Sequence, residues 1–304
     1  MKDTKRRFEL LSFYNHTGIE THFEKMAEKG WLIERLSNLG WTYRRIEPKK
    51  LKFTITYYPQ ASEFDPNPSE GQMTFHDFCA HTGWQLACTW FQMQVFYNEN
   101  PEPIPIETEP AMEVANIHKA CKANYLRSNW ILLTISAVLG VLFLVSLFKT
   151  RAVLPALLLE DSSVIVTGFI WIILAVYCGV ELAVYYRWHS RAVKAAEQDI
   201  FLETPNTVVF QKCMMVLVTI LAVYWLVSFL FSETPEMLPI GIAVLVSIFG
   251  AQLLGERLKR WMRKKGVPTG VNRFLTLLTV FLTVFLATGI ITAVGVILKQ
   301  AISY

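Results

Sequence analysis

Four side chains of the types that bind zinc lie close together in the first third of the sequence: His76, Cys79, His81 and Cys88. Structural zinc sites usually combine closely spaced Cys pairs and His pairs. The spacing H-x2-C-x-H-x6-C departs from that pattern, and Cys79 also falls at a core position of a predicted helix. We therefore predict no metal and no cofactor, and keep these four residues as weak candidates.

Other catalytic signatures are missing from the sequence. It has no phosphate-binding G-x-x-x-x-G-K-[ST] loop, no dinucleotide-binding G-x-G-x-x-G, no H-E-x-x-H and no G-x-S-x-G. Each of these motifs places a backbone or a nucleophile where the chemistry needs it. We therefore predict no catalytic residues, and a membrane-bound enzyme is the weakest of three functional hypotheses.

One carboxylate lies inside a long apolar segment. Glu181 is the single acid well within residues 163–186. Ionisable residues in such segments are rare, and they are functional candidates by default. The alternative is a structural ion pair near the membrane surface, for which the candidate partners are Arg187, Lys212 and Arg273.

The elements that must position these residues include five apolar segments. A helix needs about 20 apolar residues to cross a bilayer, and a membrane span must pair its own backbone groups. The sequence therefore predicts an all-α transmembrane domain over 129–304, with spans at about 129–148, 163–186, 211–231, 237–255 and 274–298.

Basic residues alternate between the two sides of these spans. They precede the first span and fill the second-to-third and fourth-to-fifth connections, whereas the SETPE connection has none. By the positive-inside rule, this predicts a multi-pass cell-membrane protein with a cytoplasmic N-terminus and an extracytoplasmic C-terminus. The N-terminal part has no basic excess, which argues against nucleic acid as a partner.

The fourth span carries small residues at a spacing of four: Ala243, Ser247, Ala251 and Gly255. Small residues let membrane helices approach closely. The stripe predicts either packing inside one bundle or the seam of a homodimer.

The sequence predicts two βαββ units within residues 1–98. In the first, the strand LLSFYN precedes a helix with Thr17 as N-cap, Glu20 three residues on, and a Gly30-Trp31 end; this is a capping-box pattern. Its apolar face contains Ile19, Phe23, Met26 and Ala27. The strands LIERL and WTYRRI follow.

The second unit repeats this order. The strand LKFTITYY alternates apolar and polar residues, as a half-buried strand does. A helix then begins after Ser69, has Gln72 three residues later, and ends at Gly83-Trp84. The helix carries Met73, Phe78 and Cys79, and the strands QLACTW and FQMQVFY close the unit.

The predicted fold class is therefore an α+β N-terminal domain followed by an all-α transmembrane bundle. We expect the two units to share one mostly antiparallel sheet, with both helices on one face. The aromatic residues Trp31, Trp41, Trp84 and Trp90 then form either the core or a face that binds a flat hydrophobic ligand or a protein.

A linker rich in proline and acids, 99–109, follows the domain. Pro110 suits the first turn of a helix, and we expect that juxtamembrane helix, 110–128, to run unbroken into the first span. The five cysteines form no disulfide framework, which indicates a reducing compartment.

The pieces EKMAEKGW, WTYRRIEPKK and ASEFDP resemble an uncharacterised family of membrane proteins from Gram-positive bacteria with an N-terminal domain of unknown function. The resemblance covers about residues 8–100. It implies that the gene lies beside a PadR-like transcriptional repressor and has a role in stress or envelope response. It implies no catalytic residues.

The leading hypothesis is a non-enzymatic regulatory or sensory protein in the lipid bilayer, whose cytoplasmic domain binds a protein or a small hydrophobic ligand. The alternative is a transporter, or a transporter subunit, for amphiphilic compounds, with a path lined by Glu181, Gln252 and Thr292.

Overall fold

The computed structural model describes residues 3–9, 11–37, 40–150, 162–230 and 237–302, with some helical side chains left out. The described chain falls into two compact units. Unit 1 comprises Met1–Ala61 and Ser69–Leu221, and unit 2 comprises Ser62–Pro68 and Ala222–Tyr304.

The first βαββ group contains β1 (Thr4–Arg7), α1 (His16–Glu28), β2 (Trp31–Arg35) and β3 (Trp41–Arg45). Its strands form an antiparallel sheet in the order β1-β3-β2. The α1 helix ends where Gly30 takes a φ of +76°, a conformation that costs glycine little because it has no Cβ.

The second group contains β4 (Lys52–Tyr57), α2 (Glu70–His81), β5 (Gln85–Trp90) and β6 (Met93–Asn98). Its antiparallel sheet has the corresponding order β4-β6-β5. A register shift falls between Ile33 and Arg35 in β2 and between Leu86 and Cys88 in β5, so the two groups also agree in this irregularity.

The α+β fold class is confirmed, with two corrections. The strands form two three-stranded sheets instead of one shared sheet. In the LLSFYN segment, the described residues 11–15 form no strand; β1 lies earlier, at Thr4–Arg7.

The two groups share a hydrophobic core through α1. The predicted face of this helix is buried, and Phe23 contacts Trp41 of its own group at 5.4 Å and Phe53 of β4 at 5.5 Å between ring centroids. By contrast, α2 buries Cys79 but leaves Met73 and Phe78 46% and 58% exposed. The helix contributes a smaller core with Trp84 and Phe96.

The juxtamembrane helix does not run unbroken into the first span. The α3 helix (Pro110–Ala123) ends at Asn124, and α4 (Tyr125–Thr150) begins with the next residue. The Asn124 side-chain amide donates to Gln92 Oε1 in the β5–β6 turn, so the break lies where the α+β domain contacts the helices.

In the described part of the chain after α4, four further helices follow: α5 (Ser162–Ala196), α6 (Val208–Leu230), α7 (Met237–Lys264) and α8 (Thr269–Ile302). Among the described residues, four stretches are long and apolar enough to cross a membrane: Tyr125–Phe148, Ile165–Ala196, Val208–Trp225 and Thr269–Ala287. The protein is therefore an integral membrane protein. The predicted span 237–255 lies within α7, and most side chains of its first half are outside the described residues.

Small residues let helices approach closely within each unit. In unit 1, a Cβ on Gly168 would overlap the Phe143 ring, 2.3 Å away, which shows how tightly α4 packs on α5. In unit 2, Ala251 is fully buried, and a Cβ on Gly255 would lie 2.6 Å from Val280 Cγ2 of α8. The small-residue stripe thus packs inside the chain at these two positions; the Ala243 side chain lies outside the described residues.

Candidate functional site

A buried polar site in unit 1 surrounds Glu181 of α5. Its side chain is 1% exposed. Ser12 Oγ and the Tyr125 hydroxyl donate to Oε2 at 2.8 and 2.6 Å. Gln211 Nε2 donates to Oε1 at 3.1 Å. Every buried carboxylate must find such donors, because an unpaired one loses its hydration without compensation.

These donors come from three separate places in the chain. Ser12 lies in the irregular segment before α1, Tyr125 is the first residue of α4, and Gln211 lies in the first turn of α6. Gln211 Nε2 is also 2.6 Å from Ser12 Oγ and 3.0 Å from Thr207 Oγ1. Glu181 therefore connects the segment before α1 to the starts of α4 and α6. We call Glu181, Ser12, Tyr125, Thr207 and Gln211 the Glu181 junction.

An aromatic layer covers the junction. Tyr14 is fully buried and packs against Tyr125, Tyr185 and Trp188, with ring centroids 5.6, 5.0 and 5.6 Å away. Burial, followed by the charge of Glu181, raises the pKa of Tyr14 well above its usual range. Tyr14 is therefore a neutral phenol, and its ring packs on the Tyr125 ring of the junction.

A second buried cluster connects α1 with α3. His16 Nε2 lies 2.8 Å from Glu113 Oε1. Burial opposes the charged form of His16, but the hydrogen bond with Glu113 and the charges of Glu20 and Glu113 outweigh it and raise the His16 pKa. Burial also raises the pKa of Glu20 to about 7. Glu20 Oε1 accepts a hydrogen bond from the Ile55 backbone N–H at 2.7 Å, so it covers an edge of β4.

The predicted ion-pair alternative for Glu181 does not describe the site. Within the described part of unit 1, no Lys or Arg lies within ion-pair distance of Glu181, and its donors are neutral hydroxyl and amide groups. Glu181 also belongs to unit 1, whereas Gln252 belongs to unit 2 and the Thr292 side chain is not described.

The four Cys and His candidates do not converge. His76 Nε2 contacts Gln94 Oε1 at 2.9 Å, and His81 Nδ1 contacts the Asp77 carbonyl at 2.7 Å. Cys79 is buried with Trp84 and Phe96, whereas Cys88 packs against the larger core. Burial raises the pKa of each thiol to about 12. No group of three metal-binding side chains occurs among the described residues.

The four tryptophans also lie apart. Trp41 and Trp84 are each 4% exposed, in two different hydrophobic clusters. Trp31 is half-buried between Lys5 and Arg45, whose charged groups lie 5.2 and 5.0 Å from its ring. Trp90 is half-buried and packs on Phe13. Two of the four are thus core residues, and the other two have different neighbours.

Unit 2 contains a site of its own, in which residues 62–68 pack on α7 and α8. Lys259 Nζ lies 2.6 Å from both Glu63 and Glu256. Asn272 Nδ2 donates to the Phe64 carbonyl at 3.0 Å. Thr269 Oγ1 donates to Asp65 Oδ1 at 2.6 Å. The acidic Glu63–Asp65 stretch is therefore held by main-chain and side-chain contacts together.

Sequence reasoning found Glu181 but missed its donors. Gln211 could have been recognised as a candidate donor, because it is a polar residue at the start of an apolar segment. Ser12 gave none, since it lies in a stretch with the pattern of a strand. The contact that makes Ser12 important spans 169 residues, which no local pattern reveals.

The comparisons with known proteins cover the N-terminal part. Residues 15–130 match a family model described as "Protein of unknown function (DUF2812)". No curated protein and no solved structure matches the chain. The match runs from the start of α1 to the first residues of α4, so the uncharacterised domain includes α3 and the break at Asn124.

Proposed function

We propose that this integral membrane protein is regulatory and not enzymatic. Its α+β domain lies on the cytoplasmic side, binds a partner protein or a small ligand, and passes that event to the membrane helices. The observation that carries this proposal is the Glu181 junction, where one buried carboxylate holds the segment before α1 and the starts of α4 and α6.

The physical argument rests on how such a junction responds to movement. A shift of the segment that contains Ser12 would remove a hydrogen bond from a carboxylate that water does not reach. A buried polar group left unpaired costs about 1–3 kcal/mol. A cost of that size favours a coordinated rearrangement of the helices over a local one, and two alternative packings with similar energies are what a switch needs.

The basic flanks support the cytoplasmic side for the domain, by the positive-inside rule. The shared α1 supports the domain as one responding body, because it packs on both sheets. A PadR-like repressor, which the family resemblance implies as a gene neighbour, is the first partner to test.

The experiment uses a deletion strain that expresses the full chain, its Glu181→Gln variant, or Glu197→Gln. Glu197 is an exposed carboxylate on the segment that follows the same helix, so it is the matched control. We expect the deletion to change the transcript profile, the wild type and Glu197→Gln to restore it, and Glu181→Gln to fail at equal abundance in the membrane.

Restoration of the profile by Glu181→Gln would refute the coupling. An unchanged profile in the deletion strain, together with uptake or efflux in proteoliposomes that Glu181→Gln abolishes, would replace regulation by transport.

A further inference from the structure

One face of α7 changes along its length from apolar to cationic. Its first described part exposes Val246, Phe249 and Leu253, at 64%, 62% and 43%. Exposed Arg257, Arg260, Trp261 and Lys264 continue the same face at helical spacing. Residues three, four and seven apart lie on one side of a helix. We call Arg257, Arg260, Trp261 and Lys264 the cationic stripe.

The opposite face of α7 is occupied. Ala251, Lys259 and Met262 are buried there, and Lys259 is paired with Glu63 and Glu256. The described part of unit 2 contains three acidic residues, namely these two and Asp65. Two of the three acids thus pair with a cation that is not in the stripe, and Asp65 accepts from Thr269.

Among the described residues, the cations of the stripe have no acidic partner. Within the described chain, no ion pair involves Arg257, Arg260 or Lys264. After Glu256 the sequence contains no Asp or Glu at all, although Arg263, Lys265 and Arg273 add further positive charge. The stripe therefore presents uncompensated charge next to an apolar surface.

From this arrangement we infer that the cationic stripe is a binding site for an anionic phospholipid. The acyl chains lie along Phe249 and Leu253, and the phosphate lies between Arg257, Arg260 and Lys264. Arginine binds phosphate through two parallel N–H groups, and tryptophan prefers the headgroup level of a bilayer. Arg257 and Lys264 are about 10 Å apart along the helix at 1.5 Å per residue, which spans one headgroup.

The basic extension of α5 provides a matched comparison. It exposes Arg187, Arg191 and Lys194, the same number of charges. Unlike the stripe, it is followed closely by acids, namely Glu197, Asp199 and Glu203. If the lipid were held only by the general positive charge of the cytoplasmic side, neutralising either set of three basic residues would weaken lipid binding equally.

The test measures quenching of Trp261 by brominated lipid in nanodiscs that contain the purified full chain. The difference between the wild type and Trp261→Phe isolates this one signal from the nine tryptophans. We expect brominated phosphatidylglycerol to quench Trp261 more strongly than brominated phosphatidylcholine at equal mole fraction. Each basic residue near an anionic surface contributes about fivefold in affinity, so the variant R257Q/R260Q/K264Q loses about a hundredfold.

The controls decide between the sources of the effect. R187Q/R191Q/K194Q should keep the preference for phosphatidylglycerol, and millimolar inorganic phosphate should not displace the lipid. Equal quenching by the two lipids, or an equal loss in both triple variants, would overturn the inference. Displacement of the lipid by phosphate alone would assign the stripe to a soluble anion. If the triple variant lost binding of an acidic protein but kept binding of the lipid, the stripe would be assigned to a protein partner.

Discussion

Replacing Glu181 by leucine tests the junction most directly. Ser12 and Gln211 keep each other and Thr207 as partners. The Tyr125 hydroxyl, in contrast, has Glu181 as its only hydrogen-bond partner among the described residues. Two lost hydrogen bonds at about 1 kcal/mol each and one half-buried hydroxyl left unpaired at about 1–2 kcal/mol predict a total loss of about 3–4 kcal/mol.

A double-mutant cycle separates the Tyr125 contribution from the rest. In a Tyr125→Phe background the hydroxyl is absent, so Glu181→Leu should cost less than it does in the wild type. We expect a coupling free energy of about 1–2 kcal/mol. The assay is equilibrium unfolding of the full chain in mixed micelles, followed by circular dichroism against denaturant concentration.

Glu197→Gln provides the control cycle with Tyr125→Phe. Glu197 lies 16 residues beyond Glu181, about 24 Å along a helix, and the two changes should be additive within about 0.5 kcal/mol. The reasoning fails if the Tyr125–Glu181 cycle is also additive within that margin, because the hydrogen bond would then contribute nothing to the folded state.

Two further predictions concern the pKa of Glu20 and the packing of Gly255. Because burial raises the Glu20 pKa from 4.5 to about 7, folding favours the protonated acid. The raised His16 pKa acts in the same direction, so these two groups lower stability as the pH rises from 5 to 8, whereas the lowered pKa values of His22 and His118 act in the opposite direction. The melting temperature of Glu20→Gln minus that of the wild type should therefore increase as the pH rises from 5 to 8, whereas Glu24→Gln should follow the wild type. The same pH dependence in Glu20→Gln and the wild type would contradict the argument. Gly255→Ala should destabilise unit 2 by about 1–3 kcal/mol through overpacking on Val280, and Val280→Ala should restore the melting temperature; a lack of rescue would show that the contact is not tight.

Local patterns predicted the elements that depend on local physics. The Ser69 side chain accepts from the Gln72 backbone N–H at 3.2 Å, as the capping pattern predicts. Gly83, like Gly30, has a positive φ. In α1 the N-cap is Asn15 and not Thr17, because Asn15 Oδ1 accepts from Gly18 N at 3.0 Å. The predicted capping residue Glu20 turns instead to Ile55 of β4, a partner that appears only when the two groups pack together.

The errors fall where distant contacts replace local preferences. The alternation in LLSFYN is genuine, but the Ser12 and Tyr14 carbonyls accept from the Asn15 and His16 N–H groups in a local turn. The side chains of the segment meet distant partners, since Ser12 contacts Glu181 and Tyr14 packs on Tyr185. The helix break at Asn124 has the same origin, since its amide contacts Gln92 in the β5–β6 turn. Neither event has a signal within ten residues of its position.

These errors have a common location, which bears on function. Ser12, Tyr14 and Asn124 all lie where the α+β domain meets helices of unit 1. Natural sequences agree with their fold at most positions, and departures from local preference concentrate at functional sites. A strand pattern that forms no strand and a helix pattern that breaks therefore indicate a junction whose geometry is set by Glu181. The same junction is where a change in the domain would reach the helices, so the residues that resisted prediction are the first to substitute when the proposed regulation is tested.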